Sequence, residues 1–155
     1  AKIQVEFNPE VVDRFRLLGY ENRRLETEDF TDDSVDAGEV GAGQTVTALY
    51  EVRIKDNTKG KVADVRIRYE NIDTSQVEQK EASVTVADLD KEFSQATDRF
   101  RFTAAVAEFA EILKESYWAK DSSFDSVIEV AQGSASSDEK DKEFIKLLKK
   151  ANTLE

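Results

Sequence analysis

Thr45-Val46-Thr47-Ala48-Leu49-Tyr50-Glu51-Val52-Arg53-Ile54 sets Val46, Ala48, Tyr50, Val52 and Ile54 on one side, with Thr47, Glu51 and Arg53 mostly opposite. Apolar residues at every second position describe a strand with one buried face. Downstream, Val65, Ile67 and Tyr69 alternate with Arg66, Arg68 and Glu70 as a second strand. The intervening run from Lys55 to Lys61 holds Asp56, Asn57 and Gly60, residues that suit a hairpin loop. Val84 and Val86, with Ser83 and Thr85, make a third strand. Upstream, Ile3, Val5 and Phe7 alternate with Lys2, Gln4 and Glu6, and Phe15 to Tyr20 can form a fifth. A helical turn is expected at Asn8-Pro9-Glu10, with Asn capping and Pro first in the turn. Short strands with hairpin-length gaps favour an antiparallel sheet, curled or sandwiched.

Beyond residue 91 the period changes from two to that of a helix. From Ser94 to Ser116, Phe102, Ala105, Val106, Phe109, Ile112 and Leu113 recur at spacings of three and four and form one apolar stripe. A second helix fits Phe124 to Gln132, started by Ser122 or Ser123 and stopped by Gly133. A third fits Asp138 to Ala151, where Ser136 and Glu139 have capping-box spacing and Phe144, Leu147, Leu148 and Ala151 form the buried face. The reading is α+β: an antiparallel β-sheet or sandwich followed by a bundle of about three helices. The 155 residues read as a single domain with a β-rich part over 1–91 and a helical part over 92–155. In that reading the sheet covers one side of the helix that carries Phe109.

Leu, Ile, Val and Phe make up about a quarter of the chain, above the roughly 20% level below which chains tend to stay disordered. A net charge of −11 leaves no bulk attraction for nucleic acid, and no apolar run approaches the ~20 residues that cross a bilayer. The chain has no Cys and no His, which removes thiolate and imidazole zinc sites, cysteine nucleophiles and Ser-His-Asp triads. It also has no Met, so Ala1 is read as an internal position of a longer protein and Leu154-Glu155 as a cloning remnant.

The densest charge cluster runs from Glu21 to Glu39, where Glu21, Glu26, Glu28, Asp29, Asp32, Asp33, Asp36 and Glu39 face only Arg23 and Arg24. Calcium takes about six to eight oxygens, and an EF-hand loop needs Gly at its sixth position and Glu at its twelfth. Counted from Asp32, those positions hold Ala37 and Gly43, so the motif fails. A solvated acidic loop is the plain reading, with Asp29, Asp32, Asp33, Asp36 and Glu39 as the candidate interaction residues. Phe30, Val35 and Val40, with the nearby glycines, argue for a packed, irregular path from Asn22 to Gln44.

Gly38-Glu39-Val40-Gly41-Ala42-Gly43 precedes a strand and lacks the Lys-Ser or Lys-Thr pair of a phosphate loop. It reads as a tight path with positive φ, a bulge or a close contact. Arg99-Phe100-Arg101-Phe102 mixes basic and aromatic residues, but Phe102 heads the helix stripe and Phe100 can pack on Phe93 or Ala96. Asp121-Ser122-Ser123-Phe124-Asp125-Ser126 is read as a helix cap. No pair of carboxylates stands out as an acid and base, which leaves a hydrolase as a minor reading.

Several runs together carry a family resemblance. They are Val5-Glu6-Phe7-Asn8-Pro9, Arg16-Leu17-Leu18-Gly19-Tyr20-Glu21-Asn22-Arg23, Glu28-Asp29-Phe30, Val35 to Gly43, Thr45 to Glu51, and Phe100-Arg101-Phe102 with Ala104 to Phe109. The chain resembles the C-terminal region of bacterial von Willebrand factor type A domain-containing proteins, a domain of unknown function often found in envelope lipoproteins. The likeness spans Ile3 to Leu148, and Gln44 departs from it where the pattern has His.

The resemblance implies an accessory module after a type A domain, with no catalytic residue, no cofactor and no metal ligand of its own. It implies protein-protein interaction at the cell envelope, in the periplasm or on the surface, with lipid anchoring through a preceding region. The upstream type A domain of the same chain and a further protein are the expected partners; nucleic acid and membrane contact by this fragment are not. The alternative is a calcium or small-ligand binding module that uses the acidic loop 28–39.

Overall fold

A computed structural model describes residues 1–19, 28–32, 35, 38, 40, 41, 43–89 and 92–154. The fold is α+β, antiparallel sheets followed by three helices. The chain divides into two compact units, Ala1–Leu89 and Asp90–Glu155.

In the first unit, β1 (Lys2–Phe7), β4 (Lys61–Asn71) and β5 (Gln76–Thr85) form a three-stranded sheet in the order β1-β4-β5. β2 (Val12–Leu18) and β3 (Leu49–Ile54) form a two-stranded one, and all pairings are antiparallel. Phe7 faces Ala63 across β1 and β4, and Leu18 faces Leu49 at the end of β2 and β3. Val11, Val12, Val62 and Ala63 are buried, with Val5, Phe7, Val52, Ile54 and Val86 packed around them, so both sheets feed one apolar cluster. The Phe7 ring lies 4.2 Å from Phe15 and 5.4 Å from Tyr50, edge-on to the latter.

Several sequence expectations shift. The strand read from Thr45 begins only at Leu49, because its partner β2 ends at Leu18 and Gly19 turns away with φ +73°. Tyr50, Val52 and Ile54 keep their inward alternation against exposed Glu51 and Arg53. The loop from Lys55 to Lys61 is not a hairpin: it carries the chain from β3 to β4, which belong to different sheets. Lys55 N donates instead to Val11 O at 2.8 Å. The β4–β5 hairpin is longer than read, with register from Lys61↔Thr85 to Asn71↔Gln76, and Val86 already belongs to the 3-10 turn Val86–Asp88. The helical turn expected at Asn8-Pro9-Glu10 is present: Asn8 O accepts from Val11 N at 3.1 Å and Val12 N at 2.8 Å, and Asn8 Oδ1 accepts from Glu10 N at 3.0 Å.

The second unit holds α1 (Asp98–Leu113), α2 (Phe124–Ser134) and α3 (Glu139–Asn152). Thr97, Ser123 and Asp138 cap them, accepting from Phe100 N, Ser126 N and Lys140 N. Phe102, Ala105, Phe109, Phe124, Val127, Ala131 and Leu148 are buried together. Phe109 stands edge-on to both Phe124 and Phe144, 5.8 and 5.6 Å away. α2 and α3 thus both pack on Phe109.

Within the stripe of α1, Val106 and Leu113 are exposed, and so is Leu147 on α3. Each helix meets two neighbours across a narrow seam, so positions at the stripe's margins stay in water. α1 starts at Asp98, not Ser94, because Thr97 caps it. Gly133 does not stop α2, which runs on to Ser134, whose Oγ donates to Val130 O at 2.6 Å. The expected capping box at Ser136 and Glu139 is replaced. Asp138 caps α3, and Ser136 donates through N and Oγ to Asp141 at 2.9 and 2.7 Å.

Candidate interaction surface

The acidic segment is tied to β1 by a buried lysine. Lys2 alternates onto the side of β1 that carries Gln4 and Glu6, and its ammonium donates to the backbone carbonyls of Asp29, at 2.7 Å, and Asp32. The nitrogen of Ala1 donates to Gly38 O at 2.7 Å. Phe30, in the 3-10 turn Glu28–Phe30, is buried, Val35 is half-buried and Val40 is exposed.

Of the candidate residues, Asp29 and Asp32 lie in this anchored piece, whereas Asp33, Asp36 and Glu39 lie outside the described residues. Most of the expectation of a packed path from Asn22 to Gln44 falls outside them too. Among the described residues, no group of three or more acids could hold a metal ion. The two converging carbonyl oxygens already face a cation, the Lys2 ammonium, which any metal at that spot would have to displace.

The glycine run behaves as a tight turn. Gly43 has φ +75°, and Gly41 N donates to Gln44 Oε1 at 3.1 Å. A Cβ at Gly41 would sit 3.3 Å from that same oxygen. Gln44 therefore closes a local turn.

On the three-stranded sheet, Arg66 bridges strands. Its guanidinium donates to Glu6 on β1 at 2.9 Å and to Glu81 on β5 at 3.2 Å, which raises its pKa further. Asp64 is held below its ordinary value by hydrogen bonds from Lys61 and Ser83, each at 2.6 Å. Glu78 is held low by Asn71 at 2.7 Å and Tyr69 at 2.8 Å, and Tyr69 is pushed up in turn. These groups lock strands together, and none converges with another into an acid and base pair.

The sequence reading overlooked an exposed aromatic pair. Between α1 and α2, the 3-10 turn Tyr117–Ala119 presents Tyr117 and Trp118 at 69% and 58% exposure. The rings stand edge-on at 5.5 Å, and Lys120 Nζ lies 4.8 Å from the centre of Tyr117. The turn is held from below. Glu115 adopts φ +52°, Ala119 is buried, and the Ser116 hydroxyl donates to the buried Glu111 carboxylate at 2.8 Å. The signal in the sequence was the lone Trp, set between two helix stripes and outside both. Arg99-Phe100-Arg101-Phe102 does belong to α1: Phe102 is in the core, and Phe100 packs edge-on against Phe93 at 6.4 Å. Among the described residues, no helix is long and apolar enough to cross a membrane.

The chain matches a family described as "Uncharacterized protein YfbK, C-terminal" in two overlapping stretches, residues 1–63 and 53–154. It is 30% identical to "Uncharacterized protein YfbK" of Escherichia coli (strain K12) over 169 aligned residues, covering 98% of this chain and 29% of that protein. The chain thus spans less than a third of the length of the curated relative it matches. No solved structure matches it. With both stretches together running from residue 1 to residue 154, this chain belongs to the YfbK C-terminal domain family.

Proposed function

We propose that this domain is a non-catalytic accessory module that follows a von Willebrand factor type A domain and supports protein-protein contact at the bacterial cell envelope. The observation that carries the reading is the Tyr117-Trp118 pair, displayed in water on a turn braced by Glu111 and Ser116. Exposed aromatic side chains on a rigid mount are the groups that dominate protein contacts, because they bring large area at small entropic cost. The relative's further length leaves room for the partner, a type A domain preceding this one in the same chain. Lipid anchoring belongs to that preceding region.

The test is calorimetric titration of this chain with the type A domain cut from the longer protein. Saturable binding is expected, and Trp118→Ala should weaken it about tenfold. Absence of heat, or binding indifferent to that substitution, overturns the reading. Fractionation of cells making the whole protein checks the envelope placement.

A second reading, a calcium-binding loop over residues 28–39, draws on the two carbonyl oxygens that converge on Lys2. Calcium calorimetry decides it. Saturable heat, enlarged by Lys2→Met, would favour the loop as a site.

A further inference from the structure

We infer that β5 is a self-complementary edge, through which two copies of this chain pair antiparallel into one continuous sheet. In the order β1-β4-β5, β5 is paired with β4 alone among the described residues, and it is ten residues long. An edge of that length offers a row of backbone donors and acceptors to another strand. Residues of both its faces are exposed, among them Gln79, Lys80, Glu81, Ala82 and Ser83. The opposite edge, β1, is six residues long and has the 3-10 turn at residues 28–30 tethered beside it through Lys2.

The occupant follows from the charges along β5. When a two-fold axis joins two antiparallel edges, one residue faces its own counterpart on the axis, and residues equally distant on either side face each other. Centring on Glu78, Lys80 or Glu81 sets a charge against itself. Centring on Ala82 avoids that but pairs no opposite charges.

Centring on Gln79 places a neutral amide on the axis and sets Glu78 of each copy opposite Lys80 of the other, twice by symmetry. Gln76 then faces Ala82. Opposite charges directly across a strand pair stabilise it and like charges oppose it, so the row selects one register of self-pairing. Both Glu78 oxygens already accept hydrogen bonds from Tyr69 and Asn71 on β4, and each keeps a further lone pair for the partner lysine.

Sedimentation velocity over a concentration series is expected to show a monomer-dimer equilibrium. Lys80→Glu should weaken the dimer at least about tenfold, since each copy then sets two acids against two. Glu78→Lys alone should do the same, whereas an equimolar mixture of the two variants restores both opposite pairs and should dimerise. Circular dichroism verifies that each variant is folded.

Because the chain has no cysteine, Gln79→Cys gives an independent reading. Mild oxidation should link two copies through the axis, and adding Lys80→Glu should suppress the link. A chain that stays monomeric at millimolar concentration overturns the inference. So does a dimer unaffected by Lys80→Glu, or a folded Gln79→Cys variant that does not cross-link.

Discussion

Phe109 illustrates how one side chain holds the helical unit. It is buried, and two aromatic rings from α2 and α3 close on it edge-on. Truncation removes both contacts and leaves a cavity. Phe109→Ala should therefore cost about 3–5 kcal/mol, read as a lowered denaturant midpoint with the slope unchanged.

Asp141 acts through charge. The Ser136 hydroxyl, then its backbone N–H, hold its carboxyl below the ordinary 3.8, and Arg99 adds attraction while burial acts the other way. A carboxyl lowered on folding lends stability above its unfolded value and loses it as pH falls through the depressed one. The melting temperature of the helical unit should thus drop on acidification below about pH 4. Asp141→Asn should lower it at pH 7 and flatten that part of the pH profile, which thermal melts across pH 2–7 would measure. A profile as steep in the variant as in the original chain would remove Asp141 from the account.

At the scale of elements, boundaries depend on what each end finds to bond. Ser123 Oγ accepts from Ser126 N at 3.2 Å, giving the first turn of α2 a partner for an N–H the helix cannot satisfy. Ser123→Ala should cost about 1 kcal/mol, seen as a loss of thermal stability in the helical unit. Gly60 precedes β4 with φ +96°, and its carbonyl accepts from Val86 N at 2.9 Å, joining the far ends of β4 and β5. A Cβ there meets open space, so the effect of Gly60→Ala is conformational and should cost about 1–2 kcal/mol. Hydrogen exchange should show the loosening first at the Lys61 and Thr85 end of the hairpin.

At the scale of the molecule, each unit has an apolar cluster of its own, one around Val11, Val12, Val62 and Ala63 and one around Phe109 and Leu148. Phe109→Ala takes contacts from the second cluster alone. Its helical signal should therefore melt earlier by more degrees than the strand signal moves, when both are followed in one thermal scan. Equal displacement of the two signals would show the chain unfolding as a single cooperative domain. The charge of −11 belongs to this scale as well, since it keeps copies apart unless a specific pairing, such as Glu78 with Lys80, offsets the repulsion.

The order of strands before helices was legible because side-chain periods of two and of about 3.6 are properties of the local chain, and so was Ser123, read with Ser122 as the start of α2, whereas the caps Thr97 and Asp138 were not singled out. The exclusion of cysteine and histidine chemistry was equally legible, being a matter of composition. Tertiary structure alone decided that β3 pairs with β2 and not with β4, since a strand's period says which face is buried and nothing about its neighbour. It also decided that Leu113 and Leu147 stay in water while Lys2 is buried, because burial depends on which elements arrive beside a residue. The same holds for Tyr117 and Trp118, whose display rests on Glu111, Ser116 and Ala119 meeting beneath one turn, a coincidence in space that no periodic pattern encodes.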